Sequence, residues 1–312
     1  MKIWEYRQVP FKFQLGDWTL FAITRPMQVR AVQLRDRTPP VLHLASPTDP
    51  LMPHSQGFFV HALPITAEQP TVSTSGDYLC YMQLQYRHCF IDLGLSFEEY
   101  RKKFSSKTRS TINRKIRKYA EHCGGSIPWK VCKTPAEMRE FFQFARVVSM
   151  KTYQEKLLDA GIPDSEEFVR EMEALAGENR VRAYTLFDGL RPVAYLYCPV
   201  ENGVLIYAYL GYDPEYMSMS VGTVLQWLAV KQLFEESCFK YFDFTEGQSE
   251  HKRLFATNET QCANVIFLRK SLQNRILIYS HLVVGQFSKW LGDCLAKLGI
   301  KARIKRFIRF MK

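Results

Sequence analysis

Residues 181–214 read VRAYTLFDGLRPVAYLYCPVENGVLIYAYLGYDP. Three apolar, aromatic-rich runs, 181–187, 192–200 and 204–211, are separated by Asp188-Gly189 and Asn202-Gly203, dipeptides that accept positive φ and so favour tight hairpin turns. The pattern predicts three antiparallel strands in a meander. After Tyr212-Asp213-Pro214, the sequence Ser220-Val221-Gly222-Thr223 opens a helix with Val221, Val224, Leu225, Leu228, Leu233 and Phe234 as its apolar positions. A short strand at 241–244 then runs into Thr245-Glu246-Gly247 and a helix-like 248–255, and 265–268 is a last strand. The predicted order is β-β-β-α-β-α-β, an α/β (α+β) arrangement.

Upstream of this core, Ser96 with Glu99 three residues on forms a capping box. In the helix predicted over 106–121, Ile112, Ile116, Tyr119 and Ala120 share one stripe, and Arg109, three residues before Ile112, falls on that buried side. Thr134, Pro135 and Glu137 start another helix, and Asp164 with Glu167 starts a third that ends near Gly177. Nine of the 15 prolines precede Thr71, between short apolar runs at 18–23, 41–45 and 57–63, which reads as a β-rich, loop-rich N-terminal part. Two longer strands are expected at 78–86 and 88–93. The expected organisation is therefore a β-rich part over 1–93, a mixed domain over 94–270 and a helical segment over 271–312. That last segment ends in a basic amphipathic tail at 299–312.

The 312 residues are 46% hydrophobic, 14% aromatic and 23% charged, which excludes a disordered tail protein. The net charge of +11 is concentrated. Residues 101–120 hold nine Lys and Arg and no acid, residues 297–312 hold seven and no acid, and the remainder is net acidic. Eight cysteines include no C-x-x-C, and no His stands at zinc-ligand spacing from a Cys pair, so no metal site is expected and the thiols read as reduced and cytosolic. The first 14 residues interleave charges with aromatics and lack the apolar core of a secretory signal. The most apolar stretch, 276–284, contains His281 and falls far short of the roughly 20 residues that span a bilayer, so a soluble or peripheral cytoplasmic protein is expected.

A strand feeding a helix through a small-residue turn leaves backbone N–H groups unpaired at the positive end of the helix dipole. Ser220 can cap that helix, Gly222 lets a ligand approach the backbone and Thr223 adds a hydroxyl, so a diphosphate can bind there; simple capping explains the same residues. The strand order together with Tyr212-Asp213-Pro214, Ser220-Val221-Gly222 and Phe242-Asp243-Phe244-Thr245-Glu246-Gly247 followed by Lys252 resembles the GNAT-fold acetyltransferases of the CelD-like kind. That kind is found in cellulose and exopolysaccharide biosynthesis and is related to the Fem-type peptidoglycan bridge transferases. The resemblance covers roughly 95–269, including Ser105-Ser106-Lys107-Thr108-Arg109. It implies a mixed, mostly antiparallel sheet flanked by helices. In the family the donor loop begins with Gln or Arg and carries two small residues; here Met219 and Ser220 precede Gly222, and Val224 stands at the second small position.

The resemblance further implies acyl transfer from a CoA thioester, bound as co-substrate by Ser220, Val221, Gly222, Thr223 and Lys252, to an amine or hydroxyl of a cell-envelope or exopolysaccharide precursor. Such transfer needs oxyanion donors, here strand 204–211, a base and an acid. Glu246 and Asp243 are the candidate bases, with Asp243 equally suited to capping the next turn. Tyr209 or Tyr212 is the candidate acid, and each can instead be a packing residue. Arg109 is a candidate substrate contact or a side chain snorkelling beside its helix. Two other readings stay open: a Fem-like aminoacyl-tRNA-dependent transferase, for which the basic helix offers a phosphate footprint, and a non-catalytic binding or scaffold protein. The tail at 299–312 is expected to rest on an anionic membrane surface or to close on the protein's own core.

Overall fold

The structure, a computed structural model, describes residues 4–16, 18–34, 47–152, 161–247 and 249–297. The strand expected at 41–45 and the tail at 299–312 lie outside these residues. In chain order the first elements are β1 (Glu5–Leu15), β2 (Trp18–Ala31), β3 (Gly57–Pro64), β4 (Val72–Ser75), β5 (Tyr78–Asp92), α1 (Phe97–Lys102), α2 (Ser106–His122), β6 (Trp129–Cys132), α3 (Pro135–Ser149) and α4 (Glu166–Gly177). They are followed by β7 (Val181–Asp188), β8 (Arg191–Glu201), β9 (Val204–Ile206), β10 (Tyr209–Tyr212), α5 (Val221–Glu236), β11 (Tyr241–Asp243), α6 (Glu250–Phe255), β12 (Asn258–Arg269) and α7 (Leu272–Lys297).

Contacts divide the chain into one unit of residues 1–86 and 261–312 and another of residues 87–260. The residues after 260 thus group with the N-terminal part instead of standing as a separate segment. The reason is local: β12 bonds antiparallel to β3 from Cys262 opposite Pro64 to Leu268 opposite Gly57. In this unit β1 and β2 form an antiparallel hairpin, β2 runs parallel to β3, and Phe11, Phe59, Ile266, Leu277 and Ile278 share one core cluster. The expected break between strands at Arg87 does not occur, and β5 runs unbroken for 15 residues.

In the second unit the meander forms as expected from its turns. Asn202 and Gly203 have φ of 51° and 79°, the positive pair that a two-residue hairpin turn requires. β7 and β8 are buried on nearly every residue because apolar clusters cover both faces. One cluster carries α2 and α5, the other α3 and α4. α5 is buried on most of its circumference, and α2 buries Ile112 and Tyr119 while its basic residues Arg114, Arg117 and Lys118 face outward. The capping boxes at Ser96 and Thr134 are both present. The cap of α4 is Ser165, not Asp164, whose carboxylate pairs with Arg146 instead. Three strands escaped the sequence reading, β1, β4 and β6. The third meander strand is split into β9 and β10.

One buried ion pair ties β7 to the end of α5. Arg182, 1% exposed, donates through Nε to Glu236 at 2.9 Å, and Lys133 Nζ and Gln232 Nε2 donate to the same carboxylate at 3.0 and 2.9 Å. Burial pushes the Glu236 carboxyl up, but Arg182, Gln232 and Lys133 outweigh it and bring it from 4.5 to about 2. A carboxyl depressed on folding contributes stability that is complete above its unfolded value and is lost as pH falls. Urea denaturation between pH 5 and pH 2 is therefore expected to show stability falling through this window, and Glu236→Gln is expected to be less stable at pH 7 and to flatten that part of the profile.

Candidate active site

The site is built where two parallel strands part. β9 and β11 pair in parallel from Val204 opposite Tyr241 to Ile206 opposite Asp243. Beyond that point Tyr207 still donates its N–H to the Asp243 carbonyl at 2.9 Å, while Ala208 donates to Tyr197 of β8 at 3.2 Å. β10 then continues with β8 alone, from Tyr209 opposite Tyr197 to Tyr212 opposite Ala194. With Asp213 N–H bonded to the Val193 carbonyl directly opposite at 2.8 Å, alternation along an antiparallel pair turns the N–H groups of Leu210 and Tyr212 away from β8. No described strand pairs with that edge. Gly211 is required here, since a Cβ on it would lie 2.3 Å from the Tyr195 ring.

The same edge leads to the N-terminus of α5. A Cβ placed on Gly222 would meet the Tyr212 ring at 3.5 Å and Leu210 at 3.9 Å, so the first turn of α5 lies against β10. Ser220 does not cap with its hydroxyl, contrary to the sequence expectation. It adopts the left-handed conformation, φ 55° and ψ 37°, and its carbonyl accepts from the N–H of Thr223 at 2.9 Å and of Val224 at 3.1 Å. Val221 and Gly222, as the first residues of the helix, have no carbonyl a turn back to accept their N–H groups. The approach to this turn is pinned. Asp213, 1% exposed, accepts from Lys151 at 2.8 Å, from Arg191 at 2.6 Å and from the Glu215 N–H at 3.1 Å. Burial works against the Asp213 carboxylate, yet Lys151 and Arg191 hold its pKa below the ordinary value. Lys118 of α2 adds a bond to the Ser218 carbonyl at 3.2 Å.

On the other side of the parting, the segment 243–247 turns sharply. Asp243 is buried, and its Oδ1 accepts from His88 Nε2 at 2.5 Å and from the Thr245 N–H at 2.7 Å. Thr245 and Gly247 have φ of 59° and 93°, and a β-branched residue at positive φ stores strain of the kind found at functional sites. Glu246 is exposed, and its backbone carbonyl accepts from Lys252 Nζ at 2.6 Å. Burial lowers the Lys252 pKa against the opposing pull of Cys89, Asp243 and Glu246.

The remaining candidates have other surroundings. The Tyr209 ring packs against Phe168 and Tyr197 in the cluster under α3 and α4, whereas Leu210 packs into the opposite cluster, and burial raises the Tyr209 phenol. Arg109 donates through Nη1 to the Phe104 carbonyl at 2.9 Å, which anchors its own helix start. His251, next to Lys252, bonds Gln226 of α5, and burial first and Lys115 second lower it to about 4, so it is neutral at pH 7. Among the described residues no group of three or more His, Cys, Asp and Glu is placed to hold a metal ion. An open depression of about 560 Å³ beside α6 is bordered by surface ion pairs of Arg253 with Glu250 and Glu259, and none of the groups named above lines it.

His88, 155 positions from Asp243 in sequence, is the residue that sequence reading missed. Its only signal was a polar side chain in an apolar strand. Asp243→Ala removes an acceptor shared by two donors and is expected to cost about 1–3 kcal/mol of stability in urea denaturation, with limited proteolysis falling first at 244–247.

Residues 106–253 match the family model described as an acetyltransferase (GNAT) domain. No curated protein matches the chain. Similar solved structures include FemX, at 10% identity and a TM-score of 0.45 over 70% of this chain and 73% of that one. Another is the C-terminal domain of a lysylphosphatidylglycerol synthetase candidate from Agrobacterium fabrum, at 9% identity and 0.45 over 64% of this chain. The chain covers 66% of that structure, just under two thirds of its length. A GCN5-related N-acetyltransferase from Kribbella flavida aligns at 12% identity and 0.33 over 62% of each chain. The meander, the turn into α5 and the phrase 243–247 all fall inside the span, residues 106–253, that matches the GNAT acetyltransferase domain model, and the fold of this unit is a GNAT fold.

Proposed function

We propose that the chain transfers an acyl group from a CoA thioester to an amine or hydroxyl of a cell-envelope or exopolysaccharide precursor at the cytoplasmic side of the membrane. The observation that supports this reading most is the unpaired edge of β10 running directly to the first turn of α5. A CoA molecule has matching chemistry in the same order: an amide-bearing arm that can bond a strand edge, and a diphosphate suited to helix N–H groups. Ser220, Val221, Gly222 and Thr223 receive the diphosphate. The arm follows Leu210 and Tyr212, which sets the thioester near the parting of β9 and β11.

There the acceptor's lone pair attacks the thioester carbon, and an N–H of β10 stabilises the oxyanion that forms. Glu246, exposed at the lip, takes the acceptor's proton; Asp243, buried beneath it, holds the turn that presents Glu246. Collapse of the tetrahedral intermediate breaks the carbon–sulfur bond. The departing thiolate takes a proton from a tyrosine of β10, Tyr209 or Tyr212. Lys252 maintains the loop through the Glu246 carbonyl, and Arg109 sustains the start of α2 beside the acceptor.

A second reading, aminoacyl transfer from tRNA, draws on one observation: the outward face of α2 carries Lys107, Arg114, Arg117 and Lys118, all exposed. Mass spectrometry of ligands that co-purify with the protein distinguishes the two. A CoA species is expected, and bound RNA would favour the second reading. Calorimetry with CoA is expected to show at least tenfold weaker binding for Gly222→Val, since its side chain fills the approach to the α5 turn. With an acyl-CoA and the acceptor, Glu246→Gln is expected to lower kcat about 10²–10⁴-fold without changing thermal stability, the range of a lost general base. Unchanged CoA binding and unchanged turnover would overturn the reading.

A further inference from the structure

Helix α7 carries its apolar side chains on both of its faces, and only one face is accounted for by the fold. Inward, Leu277 and Ile278 are buried with Phe11 and Ile266, and His281 bonds the Tyr81 hydroxyl at 2.8 Å and the Lys12 carbonyl at 3.1 Å. Outward stand Leu272, Ile276, Tyr279, Val283, Phe287 and Trp290, between 50% and 74% exposed. Their spacing of four, three, four, four and three places them on one stripe, about 27 Å long at 1.5 Å per residue. Solvated surface helices put polar residues there. The stripe does not end with the helix. The Gly16 N–H bonds the Ser288 hydroxyl at 2.8 Å, which brings the β1–β2 turn beside Phe287, and that end of the hairpin exposes Trp18, Leu20 and Phe21 at 64%, 55% and 53%.

We propose that this face, the outer stripe of α7 with the tip of the β1–β2 hairpin, docks on the surface of an anionic phospholipid bilayer. Charge complementarity selects this occupant. From Leu272 to Lys312 the sequence holds nine Lys and Arg against the single acid Asp293. An apolar stripe on a net-basic segment, with aromatic rings at one end, matches what a bilayer interface offers: acyl chains below, anionic headgroups alongside and a boundary where Trp and Tyr are favoured. No described helix is long and apolar enough to cross a membrane, so α7 lies along the interface. The inference rests on the first unit alone and is independent of the transferase reading.

Flotation of the full chain with vesicles of phosphatidylcholine, with and without phosphatidylglycerol, tests it. Binding is expected only with phosphatidylglycerol, and high salt is expected to weaken it. Ile276→Ser, Val283→Ser and Phe287→Ser combined are expected to reduce partitioning at least tenfold with thermal melting unchanged. Should that variant fail to fold, brominated phosphatidylglycerol is expected to quench wild-type tryptophan fluorescence, and quenching is expected to fall in the Trp18→Phe, Trp290→Phe double variant. Three results would overturn the proposal: equal binding by the serine variant, equal binding to neutral vesicles, or a wild type that ignores vesicles and forms a dimer which the serine variant dissociates.

Discussion

The buried carboxylate of Asp243 stands at the last position that β11 shares with β9, and the shape of the site depends on what it holds there. Parallel strands share hydrogen bonds only while both stay extended. Thr245 leaves the extended region for φ 59°, a conformation that costs a β-branched residue of order 1–3 kcal/mol. Asp243 Oδ1 offsets that cost by accepting the Thr245 N–H, and His88 on β5 holds the carboxylate in place. Without this brace the chain after β11 would be at liberty to extend beside β10 and bond the N–H groups of Leu210 and Tyr212. The strain at Thr245 and the open edge of β10 are two sides of one constraint.

A second constraint acts at the other end of the same edge. α5 is buried nearly all round, so its axis is set by packing under β7 and β8, and its N-terminus has little freedom to tilt. Ser220 enters the helix in the left-handed conformation and offers no hydroxyl to the first turn. The helix start therefore keeps donors that a side-chain cap would have consumed. Asp213, with two cations and a backbone N–H on its carboxylate, fixes the path between β10 and that start. Donors fixed before a ligand arrives need no reorganisation to receive it.

Much of this was legible in the residues. Asp188-Gly189 and Asn202-Gly203 named the meander, and Ser96 with Glu99 and Thr134 with Glu137 named two helix starts, because each signal is local and chemically specific. The split between β9 and β10 was not legible, since residues 204–211 are uniformly apolar and the break is imposed by which neighbour each N–H finds. His88 was hidden for the same reason: its partner lies in another strand far along the chain. Arg109 shows the limit of periodicity, which placed it correctly on the inner stripe of α2 but said nothing of the Phe104 carbonyl that takes its guanidinium. Ser220 was misread because a serine before a helix so often caps it; only the backbone angle reveals otherwise.

The two acidic residues of the phrase serve the loop differently, Asp243 through its side-chain carboxylate and Glu246 through its backbone carbonyl. Lys252 reaches the carbonyl of Glu246 and the N–H of Thr245 reaches Asp243, so the segment is clamped at two points that do not include the Glu246 carboxylate. That carboxylate is exposed and is an acceptor in neither clamp. The Asp243 carboxylate has no such independence, since it accepts the Thr245 N–H and any change there alters the turn. A site arranged in this way can vary the exposed acid while keeping the fold that presents it, and the buried acid is the one that the fold itself cannot give up.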